Sequence, residues 1–290
     1  ERMSPGLQGE SDEGVAMLQL SDLASAELPA GPVHLAIGMF DGVHRGHRAV
    51  IGAAVAAARA GAGIGAVLTF SPHPSVLFRP AQPTRLLQTE MEKAAQIAGC
   101  GVQALITQPF TPEFAARSDV EFALWLKQAI PDLRVVYVGE NFRYGRGRAG
   151  TPASLAVQAA RLGYAVVCVG RVEEGGAPIS STRIRERVEA GDMEAAAEML
   201  GRRYAAAGRV EPGKRMGRML GFPTLNLAWD PPLRPRLGVY LVRVRSTADE
   251  SWQPAVANYG LRPTVEAAVA PRLEVHVLGP CVWAEGDAVE

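Results

Sequence analysis

The sequence predicts two domains, an α/β domain built on a parallel, Rossmann-like sheet and a smaller antiparallel β-barrel domain after it. Between residues 33 and 169, short apolar runs alternate with segments whose apolar residues recur at helical spacing, a pattern typical of βαβ units. Beyond residue 204 the helical patterns cease, and short strand-like runs are separated by turns rich in proline and glycine. We therefore expect an α/β domain at 15–186, a helical linker at 187–202 and a barrel domain at 203–290.

The α/β domain contains five mostly apolar runs, which have the length and character of strands buried on both faces of a parallel sheet. They predict strands at 33–38, 64–70, 103–106, 134–138 and 165–169. Helical spacing of apolar residues predicts helices at 47–60, 90–98, 120–129 and 152–162. Ligands of such sheets bind at the carboxyl ends of the strands, so the segments that directly follow the strands are candidates for a site.

The last third of the chain changes from helices to strands. Helices are predicted at 182–189 and 192–200, and each is followed by a glycine, Gly191 or Gly201, that can end it. Strands are then predicted at 225–228, 238–245, 253–258 and 273–278. A run of short strands without intervening helices is typical of a small antiparallel barrel.

The composition argues against several kinds of partner. The 290 residues are 48% hydrophobic and 21% charged, as in a folded globular protein, and the formal net charge is zero. No run of Lys or Arg suggests binding to nucleic acid or an anionic membrane, and no apolar run approaches the ~20 residues of a membrane span. The cysteines are far apart and predict neither a zinc site nor a disulfide framework. We expect a cytoplasmic protein with a flexible leader at 1–14.

The most informative stretch is 38–47, Gly-Met-Phe-Asp-Gly-Val-His-Arg-Gly-His, which leads from the first strand into a helix. The helix is expected to begin near His47, with free backbone N–H groups and the positive end of its dipole at the turn. His44 and His47 are three residues apart and can both face one phosphate. The stretch predicts a nucleotide phosphate site that also includes Gly38, Phe40, Asp41 and Gly46. The simpler alternative is that the histidines only decorate the start of a helix.

This stretch resembles the His-x-Gly-His signature that the nucleotidylyltransferase superfamily carries at its first strand-to-helix turn. The longer pattern, Gly-x-Phe-Asp-Gly-x-His-x-Gly-His, is similar to that of the bacterial bifunctional riboflavin kinase/FMN adenylyltransferases, also called FAD synthetases. The resemblance spans residues 33–278. It implies a nucleotidylyltransferase domain that adenylylates FMN to FAD and releases pyrophosphate, and a riboflavin kinase barrel that phosphorylates riboflavin to FMN. ATP is implied as the co-substrate of both reactions and Mg²⁺ as the cofactor. The sequence does not indicate an oligomeric state.

Two loops at strand ends are expected to line the flavin side of the first site. His73 lies between two prolines after the second strand, and Asn141, Phe142 and Arg143 follow the fourth strand. The family has similar loops at these places, which implies that the four residues bind flavin. From the residues alone, a rigid proline turn and a glycine loop with an aromatic anchor are the alternative explanations.

A third segment of the first site comes at the start of a predicted helix. Ser180, Ser181, Thr182 and Arg183 bring hydroxyls, backbone N–H groups and a guanidinium to a positive helix end, although helix capping alone would explain the hydroxyls. The stretch matches the family's Ser-Ser-Thr-x-Ile-Arg. The resemblance implies that these residues hold the phosphates of ATP and the leaving pyrophosphate, with Arg183 acting in catalysis beside His44 and His47.

The second site is expected at the entrance to the barrel. Gly213, Gly217 and Gly221 leave room for phosphates to approach the backbone, although a loop across the barrel mouth would explain them equally well. The family's Gly-x-Pro-Thr-Ala-Asn stretch is matched with Leu225 in place of alanine, which implies that Thr224 and Asn226 hold Mg²⁺. Strand alternation should point Leu225 away from the metal. Glu274 is implied as the base for the ribityl 5′-hydroxyl, and an exposed Glu on an alternating strand is the alternative.

The last residues depart from the family. Family members follow the Glu strand with a Leu-Tyr-Gly turn, another barrel strand, an Arg-x-Glu segment and a closing helix, and the residues after Leu278 do not match these. We therefore expect a barrel that is incomplete at its C-terminal end. Two hypotheses stand beside the bifunctional enzyme: an FMN adenylyltransferase with an inactive kinase barrel, and a flavin- or nucleotide-binding module without turnover. The presence of both His44 and His47 argues against the last.

Overall fold

A computed structural model describes residues 16–212, 224–246, 251–261 and 271–290. By their internal contacts the residues form two compact units that do not follow the order of the chain. The first unit consists of residues up to Met39 together with 50–80 and 94–170, and the second consists of 40–49, 81–93 and the residues from Arg171 onward. The predicted domain boundaries remain predictions, and the two units are described separately below.

The first unit is built on a six-stranded sheet in which every neighbouring pair is parallel. The strands lie in the order β1-β4-β3-β2-β5-β6. This confirms the predicted Rossmann-like parallel sheet. Its strands are β1 (Leu18–Leu20), β2 (Val33–Ile37), β3 (Ile64–Ser71), β4 (Ala104–Pro109), β5 (Leu133–Gly139) and β6 (Ala165–Val169). Strand β1 was not predicted, since only its pairing with β4 makes this three-residue segment a strand.

Six helices are associated with these strands along the chain. Four occupy the predicted places, but the first begins at Arg45, two residues before the predicted start at His47. The other two are single turns of five and four residues, too short to show helical spacing in the sequence. The helices are α1 (Arg45–Ala60), α2 (Pro74–Phe78), α3 (Glu90–Ala98), α4 (Pro112–Ala115), α5 (Asp119–Ala129) and α6 (Pro152–Leu162). Capping boxes at Ser118 and Thr151 begin α5 and α6.

The core of the first unit lies on the central strands. All five residues of β2 are buried, and Leu35, Leu68 and Val136 are fully covered. Leu126 of α5 and Leu155 of α6 belong to the same buried cluster. The strands therefore have apolar side chains on both faces, as expected for a parallel sheet.

The second unit contains a two-stranded hairpin and two helices. The hairpin pairs β7 (Glu173–Glu174) with β8 (Ala177–Pro178). Helices α7 (Ser181–Ala190) and α8 (Met193–Leu200) follow. The predicted C-terminal glycines end them, because Gly191 and Gly201 adopt the left-handed conformation with φ of 79° and 71°.

The rest of the second unit is a six-stranded antiparallel sheet in the order β11-β12-β13-β10-β9-β14. A bridge between Ser246 and Val289 joins its two edges, and Arg245 and Glu290 exchange backbone hydrogen bonds of 3.0 Å there, so the strands form a ring. The antiparallel barrel is thereby confirmed. Its strands are β9 (Gly208–Glu211), β10 (Leu225–Leu227), β11 (Gly238–Val244), β12 (Gln253–Gly260), β13 (Arg272–Val277) and β14 (Ala288–Val289).

Strands β9 and β14, for which the sequence shows no clear pattern, complete this ring. Strand β14 has two residues and pairs with β9 through Ala288 and Arg209. The expectation of an incomplete C-terminal end concerns elements that family members carry beyond the Glu strand, and it stays a prediction.

Across the described ranges, no helix is both long and apolar enough to cross a membrane.

Candidate active sites

Residues 40–47, called the histidine turn below, connect β2 to α1. The imidazole rings of His44 and His47 are stacked, with centroids 3.5 Å apart and an interplanar angle of 18°. The rings of His47 and Phe40 are nearly perpendicular, with centroids 5.4 Å apart. Phe40 and Val43 have positive φ values of 51° and 38°, which are uncommon for residues with a side chain. His44 and His47 therefore lie together, and that both face one phosphate stays a prediction.

Hydrogen bonding and burial define the protonation of the two imidazoles. The backbone N–H of His47 donates to Nδ1 of His44 at 3.2 Å, so His44 carries its proton on Nε2. Burial lowers the pKa of His44 to about 4, and the cationic Arg202 contributes in the same direction. Burial also lowers the pKa of His47, with a smaller contribution from His44. Both imidazoles are therefore neutral at pH 7.

The second imidazole has an unused polar atom. Among the described residues, Nδ1 of His47 is buried and has no hydrogen-bond partner. Buried polar atoms without a partner are rare in folded proteins, and those that occur often mark a place for a ligand or a water. This orphaned atom supports a ligand site at the histidine turn.

The side chain of Asp41 holds the histidine turn to two other segments of the chain. Its carboxylate is buried and accepts hydrogen bonds from the backbone N–H of Leu87 at 2.8 Å and from the guanidinium of Arg185 at 3.2 Å. Burial raises the pKa of Asp41, and the bonds from Leu87 and Arg185 oppose that rise. The contact of Asp41 with nucleotide stays a prediction. Arg185, which the sequence reasoning did not single out, is the ion-pair partner that the tertiary structure supplies.

The start of α7 lies against the same turn. The hydroxyl of Ser180 caps the helix by accepting the N–H of Arg183 at 3.3 Å. The hydroxyl of Ser181 donates to the carbonyl of Asp41 at 2.9 Å, which ties the helix N-terminus to the histidine turn. The hydroxyl of Thr182 accepts a 3.4 Å bond from Arg185. The structure thus brings three of the predicted phosphate residues beside the histidine segment.

Arg183 has a different set of neighbours in this structure. Its guanidinium donates to the carbonyls of Ala177 and Pro178, both at 2.7 Å, and to that of Glu174 at 3.2 Å. These bonds hold the β7–β8 hairpin to the first turn of α7. The role of Arg183 at the phosphates of ATP stays a prediction.

The predicted flavin residues and Gly38 lie in the first unit and occupy the carboxyl ends of its strands. Gly38 follows β2 and donates its N–H to the carbonyl of Leu68 at 3.1 Å. His73 caps α2, where a ring nitrogen accepts the N–H of Ser75 at 3.1 Å. Asn141 is exposed. Arg143 is also exposed, and its guanidinium donates to the carbonyl of Phe142 at 2.8 Å.

An aromatic cluster accompanies these residues, and the sequence reasoning missed it. Phe142 stacks on Tyr144 with centroids 5.5 Å apart. Ring contacts then continue from Tyr144 through Phe122, Trp125 and Phe114 to Phe110, which contacts both Phe70 and Phe78. Phe70 and Phe110 lie at the ends of β3 and β4, so the signal that could have found the cluster is the recurrence of Phe where parallel strands end. Phe70, Phe122 and Tyr144 are buried in the core of the first unit, and Phe142 is partly buried against that core.

The barrel presents a row of polar residues on three neighbouring strands. Asn226 of β10 lies directly opposite Glu274 of β13, and Glu274 lies opposite Asn258 of β12. Residues directly opposite on antiparallel strands point to the same face, with Cβ atoms ~5 Å apart. Leu225 is buried in the barrel core, and its predicted orientation away from a bound metal stays a prediction. Thr224 is exposed at the start of this strand.

Asn258 is a candidate that the sequence reasoning quoted only as part of a motif. A Cβ placed on Gly260 would lie 3.5 Å from its Oδ1, so the amide lies over the glycine. Period-two alternation on β12 could have assigned it to the face of Glu274. The predicted phosphate residues Gly213, Gly217 and Gly221 lie outside the described residues. Within the described ranges, no cluster of three His, Cys, Asp or Glu residues could hold a metal ion.

Each half of the chain matches the model of a known protein family. A model of FAD synthetase matches residues 29–183, and a model of riboflavin kinase matches residues 200–288. The chain is 38% identical over 250 residues to a protein of Escherichia coli (strain K12), covering 84% of this chain and 77% of that protein. A protein of Pseudomonas fluorescens is 36% identical over 83% of this chain and 77% of its own. A protein of Bacillus subtilis is 34% identical over 84% and 77%. All three are named bifunctional riboflavin kinase/FMN adenylyltransferase.

A solved structure supports the same architecture. The crystal structure of a protein named macrolide-efflux protein, from Streptococcus pneumoniae, superposes with a TM-score of 0.84 at 26% sequence identity. The match covers 94% of this chain and 88% of that one. The two chains therefore share the fold through nearly their whole length.

Proposed function

The chain belongs to the family of bifunctional riboflavin kinase/FMN adenylyltransferases, and from this premise we propose that it makes FAD from riboflavin in two ATP-dependent steps. The observation that carries the second step is the stacked, neutral His44–His47 pair at the start of α1. The polar row of Asn226, Glu274 and Asn258 supports the first step. Assigning adenylyl transfer to 15–186 and phosphoryl transfer to 203–290 is part of the proposal, and the spans of the two family matches support it.

In the adenylyl transfer, a phosphate oxygen of FMN attacks the α-phosphorus of ATP. The bond from that phosphorus to the bridging oxygen breaks, and pyrophosphate leaves. The nucleophile is already an anion, so the protein needs to position the groups and stabilise charge rather than remove a proton. We assign the Nε2–H of His44 and the imidazole of His47 to the α-phosphate. The N-terminus of α7, with Ser181 and Thr182, is assigned to the leaving pyrophosphate.

The flavin ring of FMN is assigned to the first unit. His73, Asn141 and Arg143 supply polar groups, and Phe142, which is partly exposed and stacks on Tyr144, supplies an aromatic ring. An isoalloxazine ring is flat and largely apolar with polar edges, which matches aromatic faces combined with a few donors and acceptors.

In the phosphoryl transfer, the 5′-hydroxyl of riboflavin attacks the γ-phosphorus of ATP and ADP leaves. We assign Glu274 as the base that accepts the hydroxyl proton, since it is only half-buried and lies in the middle of the polar row. Mg²⁺ prefers oxygen ligands, and the amide of Asn226 and the hydroxyl of Thr224 fit that preference. When bound there, Mg²⁺ would neutralise phosphate charge of ATP. The use of ATP also supports the predicted cytoplasmic location.

A chromatographic time course of flavin products tests the proposal. The protein is given Mg-ATP with either riboflavin or FMN. We expect FMN and then FAD from riboflavin, and FAD with release of pyrophosphate from FMN. FAD from FMN alone would leave an adenylyltransferase with an inactive barrel. Binding of FMN and Mg-ATP without pyrophosphate would leave a binding module and overturn the proposal.

A further inference from the structure

The histidine turn is held by residues that lie far along the chain. The guanidinium of Arg202 donates to the carbonyl of Gly42 at 2.9 Å and to the side-chain oxygen of Gln88 at 3.1 Å. Arg202 comes two residues after the end of α8 and lies within the span matched by the riboflavin kinase family. Gly42 lies within the span matched by the FAD synthetase family. A residue from the kinase span thus contacts the segment that carries the adenylyl-transfer histidines.

The end of α8 makes further contacts with the same segment. A Cβ on Gly42 would lie 3.5 Å from Cδ2 of Leu200, and a Cβ on Gly201 would lie 3.0 Å from Cγ of Arg45. Arg45 also donates to the carbonyl of Glu198 at 3.3 Å and forms an ion pair with Glu174 of the hairpin. Leu200 and Gly201 therefore lie against Gly42, just before the two histidines, and against the side chain of Arg45, which lies between them in the chain.

The carbonyl of Gly42, which accepts the bond from Arg202, lies in a part of the turn with uncommon backbone angles. Gly42 and Val43 both have positive φ, with values of 86° and 38°, and glycine restrains its own peptide plane least of all residues. The peptide bond between them comes just before the Val43–His44 peptide, and its N–H, on Val43, donates to the carbonyl of Phe40 at 3.1 Å. The charge-assisted bond from Arg202 holds the carbonyl side of this peptide, whose N–H side is held by Phe40, and the two bonds together fix the backbone that leads through Val43 to His44.

From these contacts we propose that Arg202 is a positioning residue for FAD formation, acting through the Gly42 carbonyl on the placement of His44 and His47. The inference rests on the adenylyl transfer proposed above. Arg202 lies in the span matched by the riboflavin kinase family, and the inference gives it a part in adenylyl transfer. Misplacement of reacting groups by about 1 Å can cost on the order of 10²-fold in rate, so loss of this bond is expected to be visible in kcat.

The test compares Arg202→Ala with Arg203→Ala in the full chain. Arg203 is the neighbouring arginine and is exposed, so it is the matched control. For Arg202→Ala we expect kcat for FAD formation from FMN to fall about 10- to 100-fold. The KM for ATP should change much less, and FMN formation from riboflavin should stay as in the wild type. Added guanidinium ion at a non-denaturing concentration should restore part of the lost kcat. Arg203→Ala should leave both reactions unchanged.

Several results would overturn the inference. They are an unchanged kcat for FAD formation, a rise in KM for ATP with kcat unchanged, and an equal loss of both reactions. A wild-type protein that forms no FAD would instead refute the proposed function itself. If Arg202→Ala does not fold, Gln88→Met, which removes the second anchor of the same guanidinium, takes its place. Slower FAD formation with intact FMN formation would then support the inference, and unaffected FAD formation would overturn it.

Discussion

The chemistry proposed for the histidine turn depends on neutral imidazoles. Both His44 and His47 have pKa values lowered by burial, so neither needs to lose a proton before it can act at pH 7. A neutral donor fixed in place stabilises charge that grows on the α-phosphate without the cost of solvating an imidazolium. The buried, neutral histidines therefore predict effects on both activity and acid stability.

Substitution of His47 by Ala should remove FAD formation and spare FMN formation. A charge-stabilising donor is worth on the order of 10² to 10³ in rate, and that loss is expected in kcat for FMN adenylylation. Product chromatography with FMN and with riboflavin as substrate measures both reactions on the same variant. Loss of both activities in a folded variant would contradict the assignment, and so would an effect of only a fewfold.

Acid should destabilise the fold through His44. The pKa of this residue is about 4 in the folded protein and 6.5 for a histidine exposed to water, so between these values the unfolded chain binds a proton that the folded chain does not. The free energy of unfolding therefore falls as pH drops through 6.5, by about 1.4 kcal/mol from this residue at pH 5.5, and the loss levels off below pH 4. Urea unfolding at several pH values measures it.

The control for this prediction is His44→Gln, which cannot titrate in the same range. We expect its free energy of unfolding to fall less steeply with acid than that of the wild type. Burial also lowers the pKa values of His34 and His47, so part of the acid dependence should remain in the variant. An identical slope in both proteins would show that His44 is not buried neutral.

At the scale of elements, the turn between β2 and α1 contains the histidines assigned to adenylyl transfer, and its backbone is strained at Phe40 and Val43. Positive φ at Phe40, Gly42 and Val43 lets the chain leave the sheet and enter α1 within a few residues. Strained backbone persists only where the surroundings hold it, and here Asp41, Ser181 and Arg202 provide the holding contacts. The turn should therefore tolerate little change.

Gly42→Ala tests this tolerance. At φ 86° the new Cβ would lie 2.6 Å from Cδ1 of Leu87, so both the backbone and the packing oppose it. Gly163 is the matched control, since it has φ 79° at the end of α6 and an added Cβ there would meet nothing within 4 Å. Gly163→Ala should cost about 1 to 2 kcal/mol of stability from its backbone alone. Gly42→Ala should cost about 1 to 3 kcal/mol more and slow FAD formation.

Thermal or urea unfolding of the two variants gives the stability difference. Equal destabilisation would mean that the Leu87 side chain moves aside freely. Normal FAD formation by Gly42→Ala would contradict the importance of the turn geometry for the transfer step.

At the scale of the whole molecule, the two reactions are assigned to different sets of residues. The histidine turn and α7 are assigned to adenylyl transfer, and Asn226 and Glu274 to phosphoryl transfer. Arg202 is the exception inferred above, because it lies in the kinase span and contacts the histidine turn. Intermediate FMN should be able to pass between two copies of the chain that each retain one site.

A mixture of His47→Ala and Glu274→Gln should therefore convert riboflavin to FAD, although neither variant does so alone. Loss of a general base costs on the order of 10² to 10⁴ in rate, so Glu274→Gln supplies almost no FMN itself. Chromatography of the mixture and of each variant measures the products. The mixture could instead make FMN but no FAD, although Glu274→Gln alone still adenylylates added FMN. That result would contradict the prediction that FMN passes between two copies of the chain.

Local patterns in the sequence predicted most of the secondary structure. The five main parallel strands, the longer helices and the glycines that end α7 and α8 follow from spacing and composition, because apolar periodicity and capping act over a few residues. The single-turn helices α2 and α4 and the strands β1, β9 and β14 were missed. These segments are too short to carry a period, and pairing with distant strands defines the three strands.

The sequence by itself determined the two-domain fold class and the family, since both follow from ordered motifs and local pattern. The three-residue spacing of His44 and His47 at the start of a helix also predicted that they share one face. Only the tertiary structure decided that Asp41 pairs with Arg185, that Arg183 binds the hairpin carbonyls and that Arg202 holds Gly42. Arg202 and Gly42 are 160 residues apart, and contacts at such separations depend on how the elements pack, which no local pattern encodes.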